Sequence, residues 1–438
     1  MLTRRTLLTA AAALFASQAL GVESAASLGT AGLAIPRGVR LRRMVRAPYA
    51  PSHPYEPGRN AYGSPGQVLK NNTLVRVTTS TGVEGIGGDL PDDLIGRTLD
   101  EILELRDGRP IVRVDRFPSL VTGRMWGIHQ ATLLDLLAKV NEVSAARALG
   151  QVHRTDIPVY DGLGYMRDLD TGTIQTVVDD MLASRALGHR RFKLKIGRGR
   201  WPEAGGRHQG YDRDLAVIKA VQAAVGPECR VLVDANNFYN VEEALRLVQD
   251  TADDPLLWLE ELFQEADAEG YRRLRAAVQE RKLPTLLADG ETVSPKVQDW
   301  GPLMDQMGGH LAIPGVHGGN PLADRIAAGQ VQVSNVDLHA IGLLFFRDYA
   351  ALLAKQGALV GPHTWTNQLR VLESAVLGCV APNVVLIEDK RVSSPVVDLP
   401  LTLRDGNLRY EERPGLGIRI DEEAWRRECL PGARVVEA

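Results

Sequence analysis

The chain of 438 residues has only three cysteines, Cys229, Cys379 and Cys429. They are far apart and odd in number, so they form neither a disulfide framework nor the spacing of a zinc site. They read instead as small buried hydrophobes. An excess of one charge is also missing. The formal net charge is −3, and acidic and basic residues are mixed along the chain without a long block of either. That argues against a general nucleic-acid binder and against a protein held to a membrane surface by charge. No internal repeat and no low-complexity tract occur. The one sustained apolar run lies near the N-terminus, from Leu7 to about Leu20. It is too short for a comfortable membrane span and follows a basic start, the pattern of an export signal. Thr3-Arg4-Arg5-Thr6-Leu7-Leu8 resembles the twin-arginine signal of bacteria. Residues 1–27 are therefore expected to be an export signal, and the mature protein to be periplasmic or exported, with no stable membrane span.

Hydrophobic residues make up 44% of the chain, enough for a sizeable core. "VRAPYAPSHPYEPGRNAYGSPG" reads as loop. "NNTLVRVTTSTGVEGIGG" reads as a hairpin turning at Thr81-Gly82, and "WGIHQATLLDLLAKVNEVSAARAL" as one helix. Residues 38–155 thus form a small α+β domain. From Asp156 short apolar strands alternate with amphipathic segments: "IPVYDG", "FKLKIG", "RVLVDA", "LLWLEE", "TLLADGE", "VQVSNVDL", "ALVGPH" and "VVLIED". Eight strands with helices between them predict an α/β fold, a (β/α)7β TIM-like barrel over 156–398. Residues 399–438 are expected to return to the first domain and complete it as a cap.

Groups that do chemistry in such a barrel lie at the C-terminal ends of the strands. Here nearly every strand delivers an ionisable group to that rim: Lys193 and Lys195, then Asp234 with Asn236, Glu260 and Glu261, Glu291, Asp337, His363 and Glu388. A lone acid at a strand end more often caps the next helix. So many in phase point to a site, because such groups are seldom buried without partners. Asp234, Glu260 and Glu291 are three oxygen donors from adjacent strands, a hard-cation set suited to one Mg²⁺ ion. A divalent ion on a substrate carboxylate stabilises the enediolate left when the neighbouring proton is removed. The base for that step must be poised near neutrality. Alternation along "KLK" aims Lys193 and Lys195 the same way. Lys195 is the candidate base, and Lys193 is expected to lower its pKa and to bond the carboxylate.

The set "KLK", "VDAN", "WLEE", "DGE", "VDLHAIG" and "GPHTW", in that order, resembles the enolase superfamily, mandelate racemase subgroup. The resemblance runs over about residues 40–415. It implies that Asp234, Glu260 and Glu291 ligate the metal, the first glutamate of "EE" being the ligand. It implies that Lys195 is one acid/base and that His363, paired with Asp337, is the other. It places Glu388 where a carboxyl group bonds the substrate carboxylate, and it implies first-domain loops that close over the barrel, here with Arg40, Arg42, Arg46 and Arg59. Weaker candidates for substrate contact are Asn236 and Trp201, with Arg207, His208 and His339 near the rim. Two features depart from the pattern: "DLHAIGL" on the sixth strand, and a spacing of 46 positions between Glu291 and Asp337 with an apparent insertion near 309–330.

The expected function is Mg²⁺-dependent removal of the proton α to the carboxylate of a polyhydroxy acid, followed by loss of water to a 2-keto-3-deoxy acid. A racemase or epimerase of a 2-hydroxy acid is the alternative. A non-catalytic exported sugar-acid-binding protein is the third. The expected partner is a small carboxylate substrate, not nucleic acid, and a homo-oligomer is expected.

Overall fold

The structure, a computed structural model, describes residues 32–64, 72–121, 127–264, 266–291, 321–364 and 367–438. The export-signal segment, Trp365 of "GPHTW" and most of the apparent insertion lie outside these residues.

The first sheet is antiparallel. Strand β1 (Leu41–Tyr49) pairs with β2 (Asn72–Thr79), which turns back into β3 (Glu84–Gly87). The proline-rich stretch expected as loop therefore begins inside a strand. Pro48, which lacks a donor, falls beyond Arg46, the last residue of β1 paired to its other neighbour. Helix α1 (Ile128–Val140) packs on this sheet. The single helix expected here breaks after α1. Asn141 ends it, Glu142 takes a left-handed φ of 55°, and the Ser144 hydroxyl caps a new helix, α2 (Ala145–Leu149).

The barrel is built from eight parallel strands: β4 (Asp156–Gly164), β5 (Arg191–Lys195), β6 (Arg230–Asp234), β7 (Trp258–Glu260), β8 (Leu286–Asp289), β9 (Val333–Ser334), β10 (Leu359–Val360) and β11 (Ile387–Asp389). Each pairs with the next as far as β10. The ring closes where β11 pairs with β4 and Val360 bridges Val384. A helix lies in each of the seven connections: α3 (Gln175–Leu187), α4 (Arg207–Val225), α5 (Val241–Asp250), α6 (Ala268–Glu280), α7 (Pro321–Ala327), α8 (Leu343–Lys355) and α9 (Gln368–Val380). This is the expected (β/α)7β barrel. Alternation divides its core. Phe192 and Leu194 of β5 join the apolar layer with the helices' Val217, Ile218 and Val221. A separate cluster that includes Tyr160, Leu232, Trp258, Ala288 and Val333 fills the barrel itself. Lys193 and Lys195, on the alternate positions, are left to face inward with that second set.

The C-terminal segment divides between the two parts. Its last strand, Arg434–Glu437, pairs with β1 of the first sheet. The hairpin Leu401–Arg404 and Asn407–Tyr410 instead adds to β4 of the barrel, antiparallel. Alternation in "LTLRDGNLRY" supplies the hairpin, and the start of β4, Asp156 to Pro158, which lies before its pairing to the barrel strands begins, supplies its partner.

Candidate active site

Strand register brings the charged groups together. Lys195 stands beside Asp234, and Asp234 beside Glu260, at the ends of β5, β6 and β7. Lys193 is fully buried, Lys195 3% exposed, and Asp234 and Glu260 fully buried. Past the strand ends the backbone is forced. Asn236, Asn237 and Glu261 take left-handed φ values of 43°, 61° and 41°, a conformation costly for such residues and concentrated at functional sites.

Carboxylate oxygens of Asp234, Glu260 and Glu291 all lie within 4.8 Å of one another. Burial and the charges of Asp234 and Glu291 push the Glu260 carboxyl up to about 8, against the pull of Lys193. So much negative charge in so small a space, all on oxygen, fits a hard divalent cation. Other groups fix the donors. Asn236 donates its backbone N–H to Asp234 Oδ1 at 2.8 Å and its side-chain amide to Glu291 Oε1 at 2.9 Å. Trp258 donates its indole N–H to Glu260 Oε2 at 3.1 Å. Asn236, expected as a substrate contact, is thus spent on the cluster itself.

The lysines are drawn to the same acids. Lys193 donates to Glu260 Oε1 at 2.7 Å and lies 3.0 Å from Glu388 Oε1. Lys195 is paired with Asp234. Burial alone would lower the Lys195 ammonium, and Lys193 acts in the same direction. The charges of Asp234 and Glu291 outweigh both and hold it up. Lys193 lowers Lys195 as expected, but the net lowering is not found, because the charges of Asp234 and Glu291 outweigh it.

On the other side of the cluster stands His363. Its Nε2 is 3.1 Å from Glu291 Oε2, and its Nδ1 is 3.2 Å from Asp337 Oδ2. Burial works against its protonation, but the Glu291 charge and the hydrogen bonds to Asp337 and Glu291 raise the imidazole to about 10. Asp337 has a second duty, because its other oxygen accepts the N–H of His339 at 2.8 Å and caps the short helix Leu338–Ile341. Glu388 accepts the Thr364 N–H on Oε2 at 3.1 Å.

Several weaker candidates go elsewhere. Trp201 gives its indole N–H to the Asn60 carbonyl at 2.9 Å and lies under Arg59, fastening a first-domain loop to the barrel. Arg207 pairs with Glu243 at 2.6 Å, and the exposed His208 with Asp212. His339 bonds Glu373 at 2.7 Å in the interior. Arg46 pairs with Asp89 and Asp92, and Arg59 with Asp170 and Glu203.

Two residues at the site escaped the sequence. Lys390 is 3% exposed and lies 2.8 Å from Glu388 Oε1. The signal was present: "EDK" puts Glu388 and Lys390 on one face, as "KLK" does for the lysines. Arg198 is fully buried, bonds the Lys195 carbonyl at 3.0 Å and pairs with Asp168 and Asp214 at 2.7 Å each. In the sequence it is indistinguishable from the solvated arginines beside it.

The chain is similar to a D-galactarolactone cycloisomerase of Agrobacterium fabrum, with 27% identity over 312 residues, 68% of this chain and 72% of the relative. It is similar to an L-talarate/galactarate dehydratase of Salmonella typhimurium, with 26% identity over 298 residues, 67% of this chain and 62% of the relative. Among solved structures, a galacturonate dehydratase variant from a Geobacillus species, complexed with Mg, superposes with a TM-score of 0.77 at 22% identity. That match covers 94% of this chain and all of the other. The L-talarate/galactarate dehydratase structure gives 0.67 at 21% identity, covering 95% and 99%. The family model for enolase C-terminal domain-like proteins matches residues 176–308 and 316–424, more than half of the chain and nearly all of the barrel. The chain belongs to the enolase superfamily, in its mandelate racemase subgroup.

Proposed function

We propose that the protein is a Mg²⁺-dependent dehydratase of an acid sugar. One observation carries the reading: two groups able to move protons, Lys195 and His363, approach a single cluster of three carboxylates from two sides, through Asp234 and Glu291. Asp234, Glu260 and Glu291 would hold Mg²⁺, whose charge on the substrate carboxylate makes the neighbouring proton acidic enough to remove. Lys195, whose ammonium is held up by Asp234 and Glu291, would lose that hold once those carboxylates ligate an ion, and as the neutral amine it would take that proton. Lys193, fixed between Glu260 and Glu388, offers an ammonium to the carboxylate. His363, its Nδ1 held by Asp337, gives a proton to the departing β-hydroxyl. The named dehydratases among the relatives support the substrate class. Binding alone would need neither Lys195 nor the Asp337–His363 pair, which disfavours a sugar-acid-binding protein.

A second reading, isomerisation, is supported by the similarity to a cycloisomerase and a dipeptide epimerase. A screen of acid sugars with Mg²⁺, reading 2-keto acid release and inversion of the α-carbon separately, tests both. Release of keto acid from at least one substrate is expected. Inversion without release would replace dehydration by isomerisation.

The same reading takes 156–398 as the catalytic body, since every group invoked lies there, and 38–155 with the C-terminal strand as its cap. It takes the product of residues 1–27 to be export, on the strength of the Arg4-Arg5 pattern. Fractionation of cells carrying the full chain tests this: Arg4→Lys with Arg5→Lys should strand the enzyme in the cytoplasm. A homo-oligomer belongs to the reading as well, and light scattering of the purified enzyme checks it.

A further inference from the structure

Helix α9 opens with a residue that costs stability unless something offsets it. Asn367 caps the helix by accepting the Leu369 N–H at 3.0 Å, and Arg370 stands in the first turn. A cation there opposes the positive end of the helix dipole. Arg370 is also only 5% exposed, and burial lowers its guanidinium below the ordinary arginine value. Among the described residues, its Nε and Nη1 have no hydrogen-bond partner. The helix gains nothing from a cation so placed.

Two acids act on it, Asp337 and Glu373. Glu373, almost one turn further along α9, already has a partner, His339 Nε2 at 2.7 Å. That leaves Asp337, whose Oδ2 lies 3.8 Å from Arg370 Nη1. Asp337 is buried and held at both oxygens. Oδ1 accepts the His339 N–H at 2.8 Å, and Oδ2 lies 3.2 Å from His363 Nδ1. Its backbone runs beside that of His363 in a parallel bridge. The buried carboxylate thus faces two side-chain cations, protonated His363 and Arg370. In the proposed reaction the first of these charges disappears, because His363 gives its proton to the departing hydroxyl. Arg370 is the charge that stays. With it in place Asp337 remains a carboxylate beside a neutral imidazole, the Nδ1–H stays bonded to it, and Nε2 keeps its aim.

We propose that Arg370 is a positioning residue for His363, acting through Asp337: a fixed positive charge that keeps the Asp337 carboxylate in place whether or not the imidazole carries its second proton. The unusual "DLHAIGL" belongs to the same device. His339 occupies Glu373 with its side chain and Asp337 Oδ1 with its backbone, so the guanidinium is left to Asp337. This inference rests on the reading of His363 as a group that moves a proton, but not on whether water is lost.

The test begins without substrate, by proton NMR of the Mg²⁺-loaded full chain with isotope-labelled histidine. The His363 Nδ1–H is expected as a far-downfield resonance, identified by its loss in His363→Asn. In Arg370→Met it should shift and broaden, and Arg370→Lys, which keeps the charge, should bring it back. Where exchange with water hides the resonance, kinetics decide. With an acid sugar that the enzyme turns over, Arg370→Met should release keto acid about ten- to a hundredfold more slowly, part of the roughly 10²–10⁴ that a general acid contributes. Exchange of the α-proton for deuterium, which falls to Lys195, should keep its wild-type rate. In an Asp337→Asn background the arginine substitution should add nothing, since the charge it serves is gone. If the enzyme isomerises instead, the loss falls on exchange from one enantiomer alone, and the proposal stands without the dehydration. A folded Arg370→Met with wild-type resonance and wild-type release overturns it. So does an equal loss of exchange and release, which marks general disorder of the site. If Arg370→Met fails to fold but its double with Asp337→Asn folds, the arginine serves that charge. If neither folds, it serves packing, and the proposal falls.

Discussion

Asp337 shows how much one side chain at the rim can carry. One oxygen caps a helix and the other holds His363, with the Arg370 guanidinium 3.8 Å away. Burial would raise its carboxyl, but the hydrogen bond to His363 and the charges of Arg370 and His363 bring it down to about 2, from an ordinary 3.8. A carboxyl lowered by folding adds stability that is present above its unfolded pKa and lost as pH falls through its folded one. The window here runs from about pH 4 down to about 2, and the contribution is about 2 kcal/mol. Asp337→Asn keeps the cap and loses the charge. It should be less stable than the wild type by about that amount at neutral pH, with the gap closing towards pH 3, as read by denaturant unfolding at both. Chemistry at the same residues separates proton removal from elimination. His363→Asn should release no keto acid yet still exchange the substrate α-proton for deuterium, since Lys195 and the acids remain. Asp337→Asn should give a milder form of that phenotype. Loss of exchange from one enantiomer alone, with inversion in the wild type, would show His363 to be a base instead.

At the scale of an element, the strand β5 carries both lysines but does not hold them alone. Its end is clamped by Arg198, which donates to the Lys195 carbonyl and pairs with Asp168 after β4 and Asp214 on α4. Arg213 also reaches Asp168, at 2.7 Å. Removing the cation would leave the buried Asp214 without its partner and the buried Asp168 with Arg213 alone, which costs about 3–5 kcal/mol for a broken buried pair. Arg198→Met should show that loss in equilibrium unfolding, and its activity should fall because the end of the lysine strand is no longer fixed. A variant as stable and as active as the wild type would remove this role. The eight barrel strands were legible because each is a short apolar run closed by an ionisable group, and alternation says which way that group points; the helix α7 was not, since Pro321–Ala327 falls in the stretch 309–330 expected to be an insertion. The clamp was not legible, because "GRGRW" offers two arginines of identical local pattern and only the packing of β4 and α4 buries the first. The nine-residue β1 was hidden for a related reason: its pairing partners come from 72–79 and from the far C-terminus, so nothing local marks it.

The molecule as a whole joins its first domain to the barrel near the residues that do the chemistry. Gln130 of α1 donates to the Ile341 carbonyl at 2.9 Å and accepts from Leu344 N at 2.9 Å, between the Asp337 helix and α8. The three acids of the cluster come from the ends of three successive strands, Asp234 and Glu260 as the last residues of β6 and β7 and Glu291 just past β8, so whatever draws them together steadies three strand ends at once. Lys193, Lys195 and His363 pair with these acids, and burial with the charges of Asp234 and Glu291 raises the Glu260 carboxyl to about 8. Mg²⁺ binds the folded cluster and has no comparable site on the unfolded chain. It should therefore stabilise by RT ln(1 + [Mg²⁺]/Kd), about 2.7 kcal/mol at a hundredfold excess over Kd. The expected result is a Tm that climbs with Mg²⁺ and returns to its starting value in chelator, with turnover lost at the same point. Asp234→Asn and Glu291→Gln should flatten that dependence as well as abolish activity, because each removes a hard ligand. Glu260→Gln should flatten it too, but it also removes a repelled carboxyl, so its Tm without metal should fall less than that of Asp234→Asn. A Tm indifferent to Mg²⁺ in the wild type, with full activity in chelator, would rule out the metal role of all three.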